Sequence, residues 1–176
     1  MRIIGGLYKG RTINPPKGYE ARPTTDFARE GLFNVLDNEY EMDGLHVLDL
    51  FGGTGAVSFE FASRGAAIVY CVEMSRENSS FIKSEAGRLG IDNVITVRDN
   101  VFDFLHICRE HFDIVFADPP YALEGLDSIP QKVFDSNIIN PGGYFILEHP
   151  ESYSFADNPR FVKEKRYGRV HFSFFS

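Results

Sequence analysis

From Leu45 onward, short apolar runs alternate with segments whose apolar residues recur at helical spacing. Short apolar runs bounded by turn residues read as buried strands, and their regular alternation with helices reads as a parallel sheet covered on both faces. The pattern predicts strands over residues 45–50, 68–72, 94–97, 114–117 and 144–148. It predicts helices over 55–64, 76–89, 101–110 and 126–139, the last closed by Asn140-Pro141-Gly142-Gly143, where proline and paired glycines punctuate the chain. Segments 161–165 and 170–175 flank Tyr167-Gly168-Arg169, a tight reversal, and predict a terminal antiparallel hairpin.

Ahead of the sheet the texture changes. Residues 1–22 hold Gly5-Gly6, Gly10, Pro15-Pro16 and Gly18 between β-prone pieces at 2–4 and 12–13, which predicts a small β-hairpin extension outside the core of a domain spanning 23–176. Thr24 or Thr25 then caps a helix that places Ala28, Leu32, Val35 and Leu36 on one face. A chain of 176 residues is one domain by length, with 43% apolar and 24% charged residues, ordinary globular usage that disfavours disordered and collagen-like classes. No run approaches the roughly 18 to 20 apolar residues of a membrane span, and the apolar stretch near Met1 is too short for a secretory signal. The expected setting is therefore cytoplasmic, without a membrane partner. Cys71 and Cys108 lie far apart in apolar surroundings and read as inert thiols.

Charge changes this picture through its distribution. The net charge is -7, yet residues 1–30 carry six Lys/Arg against three acids and residues 158–176 carry five against one. Both ends can meet a polyanion; the acidic middle cannot.

The candidate chemistry sits at the ends of the predicted strands. In "VLDLFGGTGAVSFEFASRGA", Val47 to Ala66, a strand runs through Gly52, Gly53 and Gly55 into a helix start. Ligands of open parallel sheets bind outside the carboxyl ends of the strands, and glycines allow close approach; a plain strand-to-helix turn is the alternative reading. Asp49 just before that turn is awkward beside a pyrophosphate and apt beside an ammonium. Glu73, ending the second strand, can accept both hydroxyls of a ribose. A ribose and an amino acid without phosphate describe S-adenosylmethionine, with Phe51, Thr54, Met74 and Asn100 completing the candidate cofactor set. In "VRDNVFDFL" Asp99 is placed to meet an adenine amino group or to cap the helix that follows.

The fourth strand ends in Asp118-Pro119-Pro120-Tyr121. The prolines stiffen the chain and leave carbonyl oxygens that no helix claims. An exocyclic amine is a poor nucleophile because its lone pair is delocalised into the ring. Asp118 and the Pro119 carbonyl can accept its two N–H bonds and localise the lone pair, while Tyr121 stacks on the base. Glu148, ending the fifth strand, can border the site or stand as an edge acid exposed to water. His46, His106, His111, His149 and His171 form no metal-binding pattern. No G-x-S-x-G elbow or G-K-[ST] phosphate loop is present. Ser58 stands where a dinucleotide fingerprint wants Gly or Ala.

Taken with "RIIGGLYKGR" at 2–11, "RPTTDFARE" at 22–30 followed by "LFNVL", "FDIVFADPPY" at 112–121 and the ending "YGRVHFSFF", these motifs make the chain resemble the RsmD family of methyltransferases from end to end. Members methylate the N2 amino group of one guanine in bacterial small-subunit ribosomal RNA. The resemblance implies an α/β class I methyltransferase with a Rossmann-like, seven-stranded, mostly parallel sheet, a C-terminal antiparallel hairpin and an N-terminal β-hairpin. It also implies S-adenosylmethionine as donor and RNA held in a ribonucleoprotein as substrate; the enzyme is expected to act as a monomer. By resemblance, Arg22, Thr24 and Thr25 lie over the cofactor and Arg29 near the target, although Arg29 can equally pair with Glu30 or another surface acid; with the basic Arg2, Lys9 and Arg11, Arg22 and Arg29 are the candidate RNA contacts. Phe27 departs from the family's usual basic residue, and the helix at 79–89 lacks its usual Asn. The competing functions are adenine N6 methylation, glutamine amide methylation and, in other classes, a dinucleotide oxidoreductase or a non-catalytic RNA-binding module.

Overall fold

The computed structural model describes residues 1–19 and 24–176. Among them, strands β1 (His46–Asp49), β2 (Ile68–Val72), β3 (Val94–Val97), β4 (Phe112–Ala117), β5 (Ile139–His149), β6 (Phe161–Tyr167) and β7 (Val170–Phe175) form one sheet in the order β3-β2-β1-β4-β5-β7-β6. The first five run parallel, and β7 returns antiparallel between β5 and β6. Strand order reverses between β1 and β4, the switch point where such sheets open a crevice at their carboxyl edge.

Side chains alternate across the pleat and divide the core in two. Val47, Ile114, Phe116, Ile146, Phe172 and Phe174 face one side, under helices α1 (Asp26–Glu39), α2 (Ala56–Ser63) and α3 (Arg76–Leu89). Leu48, Leu50, Val115, Ala117, Phe145 and Leu147 face the other, under α4 (Val101–Ile107) and α5 (Ile129–Asp135). The helix starts are chemically explicit. Thr25 accepts from the Ala28 N–H, Ser75 from the Asn78 N–H and Asn100 from the Phe102 N–H at 2.9 Å, each satisfying an orphan donor of a first turn.

Three expectations change. The helix predicted over 126–139 is a 3-10 turn at Leu126–Ser128 followed by α5, which stops at Asp135. Asn137 adopts φ 54 and reverses the chain, and Ile139 already pairs with Phe112, so β5 begins before the Pro-Gly-Gly stretch. The helix predicted to reach residue 110 stops at Ile107, because Cys108 turns extended and packs into the core.

Residues 1–13 are the third change. Arg2 and Thr12 form a single antiparallel bridge, and Ile3 and Ile13 are buried with Leu32, Leu36 and Phe61. The segment is packed core where glycine texture suggested an appendage. It lies across α2 and α3 and borrows their polar groups. The Ile4 and Gly5 N–H groups donate to the carboxylate of Glu60 at 2.8 Å each. Arg64 Nε donates to Glu60 at 2.9 Å, the Asn14 N–H donates to Glu85 at 3.0 Å and the Tyr8 hydroxyl to the Gly90 carbonyl at 2.9 Å.

Candidate active site

The carboxyl ends of β1, β2, β4 and β5 open into one cavity of about 600 Å³. At the β1 end the chain passes through Leu50 and Phe51 into the glycine turn. A Cβ on Gly52 would lie 2.5 Å from the Cys71 sulfur, and Gly55 holds φ 77 at the start of α2. Glycine is needed at both positions, for close packing at the first and for a left-handed backbone at the second. The Gly53 N–H donates to Glu73 at 2.8 Å and the Ser75 N–H donates to the other Glu73 oxygen at 2.7 Å. Glu73 is thereby aimed along the cavity wall.

Asp49 is buried against the same turn. Ser58 donates to its Oδ2 at 2.7 Å, whereas Oδ1 has no hydrogen-bond partner among the described residues. Burial pushes the Asp49 carboxyl up to about 6, against the lowering pull of the Ser58 hydrogen bond. A buried carboxylate oxygen without a donor is costly, and an ammonium beside it removes that cost. The residues present therefore fit the amino-acid end of S-adenosylmethionine, with Glu73 available to its ribose.

At the β4 end, Asp118, Pro119, Pro120 and Tyr121 form the opposite wall, joined by Leu123 and by Glu148 from β5. Thr24 donates to Glu148 Oε2 at 2.6 Å and approaches Asp118 Oδ2 at 3.3 Å, while the Tyr121 hydroxyl donates to Glu148 Oε1 at 3.3 Å. Glu148 is only 3% exposed. Of its two readings, the one that borders the site holds: Glu148 lines the cavity, with β7 paired beside β5 along its length.

The cavity gathers Thr24, Asp49, Phe51, Gly52, Gly53, Thr54, Glu73, Met74, Asn100 and Asp118 to Tyr121. Three candidates stand apart from its lining. Gly55 acts through its backbone, Thr25 is spent on the α1 cap, and Asp99 accepts from the Asn100 N–H at 2.8 Å. Asn100 is the α4 cap and, with Val101 and Phe102, the wall at that point.

Arg29 follows its ion-pair reading, with Asp26 rather than Glu30 as the acid. It is 0% exposed, donates to Asp26 at 2.8 Å and to the Arg2 carbonyl, and lies 3.8 Å from Glu60. Its guanidinium tethers the N-terminal segment and cannot meet RNA. Arg2 and Lys9 are exposed, Arg11 donates to the Leu89 carbonyl and lies over the Tyr8 ring, and Arg22 is outside the described residues.

Sequence reading missed Tyr19, Asn78 and Phe102 in the lining. Tyr19 comes within 3.0 Å of where a Gly53 Cβ would stand. Burial pushes its phenol up to about 12, with Glu73 and Asp118 acting in the same direction. Nothing in the local pattern around "PPKGYE" signals this contact, which depends on where the N-terminal segment ends its path.

Strand order, the glycine turn after β1, an acid ending β2 and Asp-Pro-Pro-Tyr after β4 together define a class I, S-adenosylmethionine-dependent methyltransferase. The fold alone is shared at TM-score 0.67 and 22% identity with a ribosomal protein L11 methylase of Lactobacillus delbrueckii. The chain belongs to the family described as Conserved hypothetical protein 95, which matches residues 1–176.

Its relatives include "Ribosomal RNA small subunit methyltransferase D" of Buchnera aphidicola, 30% identical over 99% of this chain and 91% of the relative. The protein of that name from Escherichia coli K12 is 38% identical over 69% of this chain and 60% of its own length. A hypothetical protein of the genus Thermus superposes with TM-score 0.87 at 28% identity, covering 100% of this chain and 99% of that one.

Proposed function

We propose that this enzyme methylates the exocyclic N2 amino group of a guanine in small-subunit ribosomal RNA, with the RNA presented in a ribonucleoprotein particle and the enzyme acting as a monomer. The observation that carries the reading is the placement of Asp118 to Tyr121 across one cavity from the glycine turn, Asp49 and Glu73. Asp49 would hold the amino-acid end of S-adenosylmethionine and Glu73 its ribose, with Phe51, Thr54, Met74 and Asn100 lining the space between. The bound cofactor supplies an electrophilic methyl group.

The chain's own part is orientation and electrostatics. Asp118 and the Pro119 carbonyl accept the two N–H bonds of the amine, which localises its lone pair and turns it toward the cofactor end. Tyr121, steadied by its hydroxyl contact with Glu148, offers a ring for the base. A base that is stacked in the particle must be turned out to reach this wall. The names of the relatives support ribosomal RNA as the polymer, and the motifs at 2–11, 22–30 and 112–121 support guanine N2.

Incubation of the protein with labelled S-adenosylmethionine and unmethylated small-subunit particles, followed by digestion of the RNA and identification of the nucleoside, tests the reading. Recovery of N2-methylguanosine is expected. Label in a ribosomal protein or in N6-methyladenosine would refute it.

A further inference from the structure

We propose that Phe27 is a stacking platform for a nucleobase beside the target, with Lys165 and Arg169 meeting the adjoining phosphates. The proposal rests on the RNA reading above and names the surface that receives the strand outside the cavity. Two elements bring that surface together at the cavity mouth. The chain enters α1 there, since Thr24, three residues before Phe27, lines the cavity wall. The hairpin of β6 and β7 turns there as well. His149, the last residue of β5, pairs with His171, so Val170 and the Gly168-Arg169 turn lie beyond the carboxyl end of β5, and Val170 lines the cavity.

Phe27 is 68% exposed and is the aromatic one among the exposed large apolar side chains of the described residues. Its ring meets Tyr167 edge-to-face, with centroids 5.9 Å apart and planes at 81°. Tyr167 is itself fixed, because its hydroxyl donates to the Gly31 carbonyl at 2.9 Å and its ring packs on Phe172 at 6.0 Å. A Cβ on Gly31 would lie 2.1 Å from that ring, so α1 carries glycine where Tyr167 is seated. Phe27 is thus held from below and open above, and a ring already held in place loses little freedom on binding. The residues around it are charged. Lys165, two residues before Tyr167 on the same face of β6, and Arg169 are exposed and take part in none of the ion pairs among the described residues, whereas Arg166 is paired with Glu164. The nearby acids stand on α1, Asp26 paired with Arg29 and Glu30 exposed one turn on, which leaves the hairpin side for phosphate. A single ring set among charges does not suit an apolar protein surface. It suits a strand of bases and phosphates, which proteins grip by pairing aromatic rings with cations. Turning the target out of its stack also deprives the neighbouring base of a partner, and a ring at the cavity mouth replaces it.

The test titrates unmethylated small-subunit particles with wild type and variants across a salt series. Phe27→Ala and Phe27→Leu are expected to bind about tenfold more weakly at every salt concentration, with the slope of log K against log[salt] unchanged. Phe27→Tyr, which keeps a ring, is expected to restore the affinity. Lys165→Ala with Arg169→Ala is expected to flatten the slope by about 1 to 2 units. Phe27 is exposed, so urea midpoints of its variants should lie close to wild type, and cofactor affinity should not move. A second readout places 2-aminopurine on either side of the methylated nucleotide, once mapped, in reconstituted particles. Stacking quenches this base, so its fluorescence is expected to be lower with wild type than with Phe27→Ala at one of the two sides. Full affinity in Phe27→Ala, or a loss that Phe27→Leu repairs, would overturn the stacking role. Weaker binding with no change at either flanking base would assign Phe27 to a protein of the particle and overturn it too, and a steady slope in the double variant would remove the hairpin from the contact. Each of these results leaves RNA methylation by wild type intact. A wild type that methylates no RNA would overturn both readings.

Discussion

The acids of the site behave differently because their surroundings differ. Asp49 is desolvated with one oxygen unpartnered, and its folded-state value of about 6 lies above the unfolded 3.8. The folded protein therefore favours the protonated form, and the stability associated with Asp49 is complete below about 3.8 and is lost as pH rises through about 6. If Asp49 holds the ammonium of the cofactor as proposed, binding follows the opposite course, since an ammonium ligand selects the carboxylate. S-adenosylmethionine affinity is expected to fall as pH drops below about 6, by up to ~10-fold per pH unit for one linked proton. Calorimetry across pH checks this, and Asp49→Asn should bind weakly and without the pH slope. Asp118, at the other wall, is the residue proposed to act on the reacting amine. Asp118→Ala is expected to lower kcat and kcat/KM together by ~100-fold or more, the scale of a positioned polar group lost from the transition state. Single-turnover methylation measures the loss, and an unchanged cofactor affinity separates it from a binding defect.

Among the elements, the N-terminal segment is the one whose role the structure redefines. Glu60 on α2 is 0% exposed and accepts from two backbone N–H groups of that segment and from Arg64, with Arg29 close by. Removing one partner of a buried charge cluster leaves the others uncompensated. Glu60→Ala is expected to destabilise the fold by ~3 to 5 kcal/mol, read from the urea midpoint, and to expose residues 1–13 to proteolysis before the sheet. Arg29→Ala should act in the same direction through the same tether. A hairpin merely resting on the surface would give neither result.

For the whole molecule, charge and site lie on separate parts of the chain. The cofactor end of the cavity is lined by acids from the middle of the sequence, while the cations cluster at its two ends. Several of those cations are engaged within the fold, with Lys163 paired to Glu39, Arg166 to Glu164 and Arg160 over the Phe134 ring. Arg2 and Lys9 remain exposed on the N-terminal segment. If they contact phosphate, Arg2→Ala with Lys9→Ala should weaken particle binding and flatten the plot of log K against log[salt] by about 1 to 2 units. A binding series in salt checks this, with cofactor affinity expected to be unchanged. Arg11, already donating to Leu89, should contribute less.

Local chemistry made much of this protein legible in the chain. Strand and helix identity from Leu45 to Phe175 followed from the hydrophobic period, and the acids at the ends of β1, β2 and β4 could be placed because a strand end is a local property and a parallel sheet collects strand ends at one edge. The helix preceding residue 139 was misjudged in length because Asn137 in a left-handed conformation leaves no strong trace in a polar stretch. The burial of Glu148 and the contact of Tyr19 were undecided for a different reason. Whether an acid at a strand end is solvated depends on the strand paired beside it, here β7, which arrives from more than twenty residues away in sequence. The same holds for Arg29, whose charge suggested a surface role until the packing of residues 1–13 against α1 and α2 enclosed it. Burial of a polar side chain is set by long-range contacts, so the chain alone determined which groups are present and on which elements, and tertiary packing decided which of them face the cavity and which hold it together.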